Sequence, residues 1–216
     1  MTDLSIEQQE ALRSAELGGL KKKINAASWS EHMEDLMKAW GEKAAGLRWM
    51  HNKAAGSWKG FSDKLALAGI VLTTLGSAAA FSSAGGESEE AVMYALGGVG
   101  LAASLVQSLK KFYQADEKAA EHAAIAKQFG SFYRSMTLEL GLGREDRRPA
   151  DEVAGWASKE YDRLQQEAPS IGGGIVSDFK SNFKTAENIP DIAESEFDIK
   201  IYGRENHLEL KTVEHY

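Results

Sequence analysis

The 216 residues allow one domain with at most a small appendage. With 32 acidic against 25 basic residues and a formal charge of −7, the chain lacks the basic face that phosphate binding needs, so no nucleic-acid partner is expected. The absence of cysteine excludes disulfide scaffolds, thiolate metal sites and cysteine nucleophiles. A mean hydropathy of −0.36 reads as soluble, but the apolar residues are gathered in one central stretch.

In chain order, Ser5 to Leu20 predicts a short helix with a capping box from Ser5 to Gln8, within a first segment of residues 1–28. The charges at Arg13 and Lys21 to Lys23 leave no apolar core for a secretory leader, and Thr2 in place of glycine gives no lipidation signal. Leu36, Trp40, Leu47, Met50, Ala54, Trp58 and Phe61 then recur at helical spacing, predicting an amphipathic helix that leads directly into the apolar stretch. Gly41, Gly46, Gly56 and Gly60 weaken that helix without breaking it.

Leu65 to Gly86 is a run of twenty-two uncharged residues, and Ala91 to Leu109 a run of nineteen. Roughly 20 apolar residues cross a bilayer core, so both runs read as transmembrane helices joined by the acidic hinge Glu87 to Glu90. Arg48, Lys53, Lys59 and Lys64 precede the first run, and Lys110, Lys111, Lys118 and Lys127 follow the second. The hinge has no basic residue, so the positive-inside rule predicts an integral membrane protein with both termini cytoplasmic and the hinge on the opposite side. Trp58, Lys59, Lys64, Lys110, Lys111, Phe112 and Tyr113 stand where interface anchors belong, although the aromatics suit ordinary helix packing equally well. Gly69, Thr73, Ser77 and Ala80 in the first run, with Gly98, Ala102, Ser104 and Ser108 in the second, are candidates for close helix packing or for lining a pore. Thr74 and Gln107 join them as polar residues that an aqueous lumen would use.

Leu109, Phe112, Ala119, Ala123, Ala126, Phe129, Tyr133 and Met136 continue the helical period, which should stop near Gly141-Leu142-Gly143. A further helix opens with Asp151 as its cap, runs through Val153, Trp156, Tyr161 and Leu164, and ends at Ala168-Pro169. These apolar faces need each other, and a cytoplasmic helical bundle is the simplest way to bury them. Ile171 to Gly174 matches a phosphate loop only in its glycines and predicts a flexible turn before Val176 to Phe183. Beyond Pro190, alternation at Phe197, Ile199 and Ile201, then at Leu208 and Leu210, predicts a small C-terminal β-hairpin. From Asp151 onward fourteen acids stand against seven bases, so the net charge resides in this part, and residues 184–216 form an acidic tail able to dock a partner. The expected fold is an all-α membrane protein, its two-helix transmembrane hairpin continued by the bundle within residues 29–183.

His32, His51, His122, His207 and His215 show no metal-ligand spacing and read as surface or interface residues. No nucleophile elbow or paired-acid arrangement can be placed, so neither an enzyme nor a cofactor is expected. The Trp-containing helix leading into two spans, the Ala120-Glu121-His122 helix after them, and the closing Tyr161-Asp162-Arg163-Leu164 through Ala168-Pro169 together resemble the SLATT family. Those are two-transmembrane effector domains associated with nucleotide-second-messenger synthases and their sensors in microbial conflict systems. The resemblance covers Trp29 to Phe183 and implies an effector in antiviral defence. Such an effector oligomerises through its hairpin to form a pore or perturb the bilayer, and a cytoplasmic signalling protein controls it. The competing reading is a structural scaffold, for example in a viral or organellar membrane assembly, that docks a partner through the bundle and the acidic tail.

Overall fold

The computed structural model describes residues 6–83 and 90–194, by backbone alone at 81–83 and 91. Among the described residues every regular element is helical: α1 (Ile6–Ser28), α2 (Glu31–Ser83), α3 (Glu90–Tyr113), α4 (Ala115–Gly141), α5 (Ala150–Glu167), α6 (Gly173–Asn182) and a 3-10 turn (Asp191–Ala193). The all-α class and the two long apolar helices are therefore present. The β-hairpin expected between Phe197 and Leu210, and the hinge residues Glu87 to Glu89, lie outside the described residues.

Two compact units divide the chain, one drawn from 1–47, 128–167 and 176–216, the other from 48–127 and 168–175. α2 and α4 each contribute to both. In the first unit, Ser30 starts α2 by accepting the Met33 N–H on its hydroxyl at 3.2 Å, and Glu31 and Glu34 put negative charge in the first turn, where the helix dipole favours it. α2 then buries Met37, Gly41, Ala44 and Leu47 rather than the expected Leu36, which stays exposed. The small residues explain the shift, since a Cβ added at Gly41 would stand 3.3 Å from the Met136 Cβ of α4. Phe129, Phe132 and Met136 of α4 and Val153, Ala157 and Leu164 of α5 complete this core. Each large apolar side chain buried here contributes roughly 2 kcal/mol. Tyr161 meets Trp40 and Phe132 with ring centroids 6.4 and 5.7 Å apart.

The turn between α4 and α5 is held by charge. Glu34 accepts from Arg144 Nε and a terminal guanidinium nitrogen at 2.9 and 2.6 Å, and Arg147 pairs with the same carboxylate. The nearly buried Arg147 also donates to the carbonyls of Leu142 and Leu140 at 2.9 and 3.0 Å, closing the C-terminus of α4. Glu139 accepts the Arg148 backbone N–H at 2.7 Å, and Trp29 Nε1 donates to the Arg148 carbonyl at 2.9 Å. α5 begins one residue before the expected cap. The Ala150 N–H finds the Ser28 hydroxyl of α1 at 3.0 Å, which leaves Asp151 inside the first turn. α1 itself buries no residue. Beyond this contact at its C-terminal end, Asn25 donates to the Arg147 carbonyl at 3.0 Å and Lys22 pairs with Asp146 at 2.8 Å.

Gly173 and Gly174 lie inside α6 rather than forming a separate turn before it. The start of the acidic tail packs on α2. Pro190 is buried, and a Cβ at Gly46 would meet its Cγ and Cδ at 2.6 and 2.8 Å and the Phe179 Cζ at 3.1 Å. Lys43 pairs with Asp191 and Glu194, Lys38 pairs with Glu187, and Asn188 donates to Glu42 at 2.7 Å.

Gly46→Ala should therefore lift residues 187–194 off α2, at a cost of about 1–3 kcal/mol. Limited proteolysis after Lys184 should accelerate, and an unchanged cleavage rate would show that Pro190 does not seat on Gly46. The two guanidinium groups hold the Glu34 carboxyl down at about 2, Arg144 contributing most. Because the folded-state pKa is lowered, its stabilisation is complete above pH 4.5 and is lost as pH falls toward 2. Glu34→Gln should cost about 2 kcal/mol at neutral pH, since Arg147 keeps only carbonyl partners, and should flatten the melting-temperature profile below pH 4.5.

Candidate functional site

The second unit holds the two apolar helices. Two helical stretches, Glu31–Ala80 and Val92–Gly141, are each long and apolar enough to cross a membrane. Of the most apolar eighteen residues in each, only 6% and 0% are buried. A helix serving as the core of a water-soluble domain buries such a window; these two display it. Leu67 is 62% exposed, Leu101 76% and Tyr94 77%.

α2 and α3 meet along a line of glycines. A Cβ at Gly69 would lie 3.3 Å from the Gln107 Nε2 and 3.7 Å from the Val106 Cγ1, and one at Gly76 would lie 3.3 Å from the Val99 Cγ1. Phe61 sets its ring edge-on to Tyr113 with centroids 5.4 Å apart. The partner number falls as the α2 number rises, so the helices run in opposite directions over this stretch. Of the sequence candidates, Gly69 lies in this seam and Ala102 is half-buried, while Thr73, Ser77, Ala80, Gly98, Ser104 and Ser108 face outward. The sequence reading missed Gly76. Several outward hydroxyls bond back to their own helix: Thr73 and Thr74 donate to the Ile70 carbonyl at 3.0 and 2.8 Å, Ser77 to Thr73 at 2.8 Å, and Ser108 to Ser104 at 2.9 Å. At Gly97, Gly98 and Gly100 an added Cβ would meet nothing within 4 Å, leaving a bare strip of helix backbone on α3.

The anchor candidates separate into two sets. Lys59 pairs with Asp63 at 2.7 Å and reaches Asp116 at 3.8 Å, and Lys110 reaches the other Asp116 oxygen at 3.5 Å. The buried Ser62 hydroxyl donates to Asp116, and with the two lysines it holds that carboxyl below the usual range. Trp58 is half-buried with Lys118 over its ring at 4.6 Å, and Tyr113 sits between Phe61 and Phe112. Lys64 and Lys111 are exposed and outside these contacts, and Phe112 touches the Tyr113 ring while staying 79% exposed. The unbroken helix expected after the second span is interrupted at Gln114, whose φ of 47° is left-handed and costs a non-glycine residue about 1 kcal/mol. The break resets the buried stripe to Ala115, Ala119, His122, Ala126 and Phe129, and leaves Phe112 outside it.

No known protein family, characterised protein or solved structure matches this chain. The site is therefore read from its own geometry.

Two histidines expected at a surface or interface are buried against each other. His51 of α2 and His122 of α4 bring their Nδ1 atoms to 2.9 Å, with ring centroids 5.1 Å apart. At that distance one Nδ1 donates and the other accepts, so the contact requires opposite Nδ1 protonation states. The signal was present in the sequence: His51 lies within the Met50 and Ala54 stripe, and His122 within the Ala119 and Ala126 stripe. Burial lowers both pKa values, that of His51 to about 4 with the His122 charge adding to the effect, while Glu121 opposes the shift at His122. The folded state thus resists protonation, and stability is complete above pH 6.5 and lost as pH falls toward 4. Thermal unfolding of the detergent-solubilised chain should show a loss on the order of 3 kcal/mol across that window. His51→Gln should remove most of this slope at a cost of about 1 kcal/mol at pH 8. An identical slope in the variant would assign the acid sensitivity elsewhere.

Proposed function

We propose that the chain is an integral membrane protein that crosses the bilayer twice, through residues 65–86 and 91–109, and acts as a membrane effector assembled from several copies. The observation that supports this reading is the surface of α2 and α3, where large apolar side chains are exposed alongside the bare Gly97, Gly98 and Gly100 strip. Lipid covers the first kind of surface. A helix of another copy covers the second, because close backbone approach is what gives helix association its energy in hydrocarbon. The charge bias across the two runs favours cytoplasmic termini and an outward Glu87 to Glu90 hinge.

The resemblance to SLATT effectors makes a pore or a bilayer disturbance in a defence response the consequence of assembly. A cytoplasmic signalling protein is then the source of the trigger. The outward hydroxyls of Thr73, Ser77 and Ser108 are available to line a lumen in such an assembly. Against the scaffold reading stands the described start of the tail, since Glu187, Asp191 and Glu194 already pair with Lys38 and Lys43 and are less available to an outside partner.

Expression of the chain should depolarise cells, as read by a potential-sensitive dye. Gly98→Leu has room in a single copy but blocks a close neighbour, so at equal membrane level it should abolish most of the response. Depolarisation by the variant equal to that of wild type would remove the glycine strip from the assembly. A wild-type chain that inserts, with its trigger supplied, and never depolarises would favour the scaffold.

A further inference from the structure

The register of α2 against α3, with Phe61 beside Tyr113, Gly69 beside Gln107 and Gly76 beside Val99, sets Lys64 level with Lys111. Both lysines are exposed, and among the described residues neither has an acidic partner. Lys59, five residues before Lys64, and Lys110, next to Lys111, are by contrast drawn onto Asp116. Four lysines that look equivalent in the sequence thus do two different jobs. One pair binds a carboxylate within the protein, and the other stands uncompensated where the exposed apolar surface begins, with Phe112 79% exposed beside Lys111.

Resting on the membrane reading, we propose that Lys64 and Lys111, at one level of the helix pair, each bind the phosphate of an anionic phospholipid in the cytoplasmic leaflet. A cation fixed at the edge of an apolar face meets a headgroup whose acyl chains lie along that face. The complement is therefore a negatively charged lipid and not a soluble anion, because each ligand must satisfy an ammonium group and the hydrocarbon-facing side chains beside it. Lys59 and Lys110 contribute little to this surface, since Asp116 and Asp63 already balance them.

The full chain, reconstituted in phosphatidylcholine bilayers, is probed with spin-labelled phosphatidylglycerol and spin-labelled phosphatidylcholine, and the motionally restricted fraction of each gives a relative association constant. Wild type should prefer phosphatidylglycerol. Lys64→Gln with Lys111→Gln should lower the preference about fivefold at each position, with an unchanged melting temperature. Lys59→Gln with Lys110→Gln should keep the preference and melt lower. Equal association of the two lipids with wild type, or a preference that survives in the Lys64 and Lys111 variant, would overturn the assignment. So would displacement of the preferred lipid by millimolar inorganic phosphate at constant ionic strength, which would mark a plain anion site. No restricted lipid of either kind would instead bring down the membrane reading, and this inference with it.

Discussion

Small residues on α2 let other parts of the chain approach its backbone, and most of the packing depends on that approach. Gly41 receives Met136, Gly46 receives Pro190 and Phe179, Gly69 receives Val106 and Gln107, and Gly76 receives Val99. Each glycine inside a helix costs about 1 kcal/mol relative to alanine. The cost is offset where a neighbour fills the vacant volume, and at Gly46 no side chain could be accommodated without moving a proline ring. Gly56 and Gly60 have no such neighbour within 4 Å, so α2 carries glycines that packing explains and glycines that it does not.

Charge is used in two ways along the chain. In the first unit, Glu34 and Glu139 neutralise three arginines in a short turn, and Arg147 reaches carbonyls at the end of α4 that would otherwise lack donors. Removing one partner from such a network leaves a partly buried charge behind, so it fixes the course of the chain from α4 into α5 more firmly than a count of surface ion pairs would suggest. In the second unit, Asp116 gathers Lys59, Lys110 and the Ser62 hydroxyl just beyond the left-handed Gln114. An acid at the first turn of α4 also suits that helix's positive end, so one carboxylate both starts α4 and ties it to α2 and α3.

Periodicity made the helices legible, and it located the end of α4 at Gly141 and the body of α5 closely. It failed where helical phase changed or where small residues carried the contact. Leu36 fits a spacing of four with Trp40, yet Met37 is the buried residue, because Gly41 and Ala44 bring α4 closer on that side. Phe112 fits the period that runs into Ala119, but a single left-handed residue between them turns it outward, and glutamine at position 114 gives no sign of that. The histidine pair was hidden for another reason. Each histidine sits on an apolar stripe that sequence displays, but the 2.9 Å contact joins residues 51 and 122, whose proximity only the folded chain reveals. Among the site candidates, spacing alone could not separate Gly69 in the seam from Gly98 outside it, since both stand in uncharged runs of small residues.

The hydroxyls on the outer faces of α2 and α3 bear directly on what an assembly would look like. Thr73, Thr74, Ser77 and Ser108 each donate to a carbonyl one turn back, so each can face hydrocarbon without leaving a donor unsatisfied. In the proposed membrane setting a single copy would leave none of these donors unsatisfied, so assembly would not have to be obligatory. The same hydroxyl oxygens retain acceptor capacity, and in contact with water they remain wettable. Under the proposed function, a helix pair with these properties would tolerate lipid when dispersed and an aqueous lumen when gathered. The proposed triggered effector would use both environments, whereas a permanent scaffold would need only one.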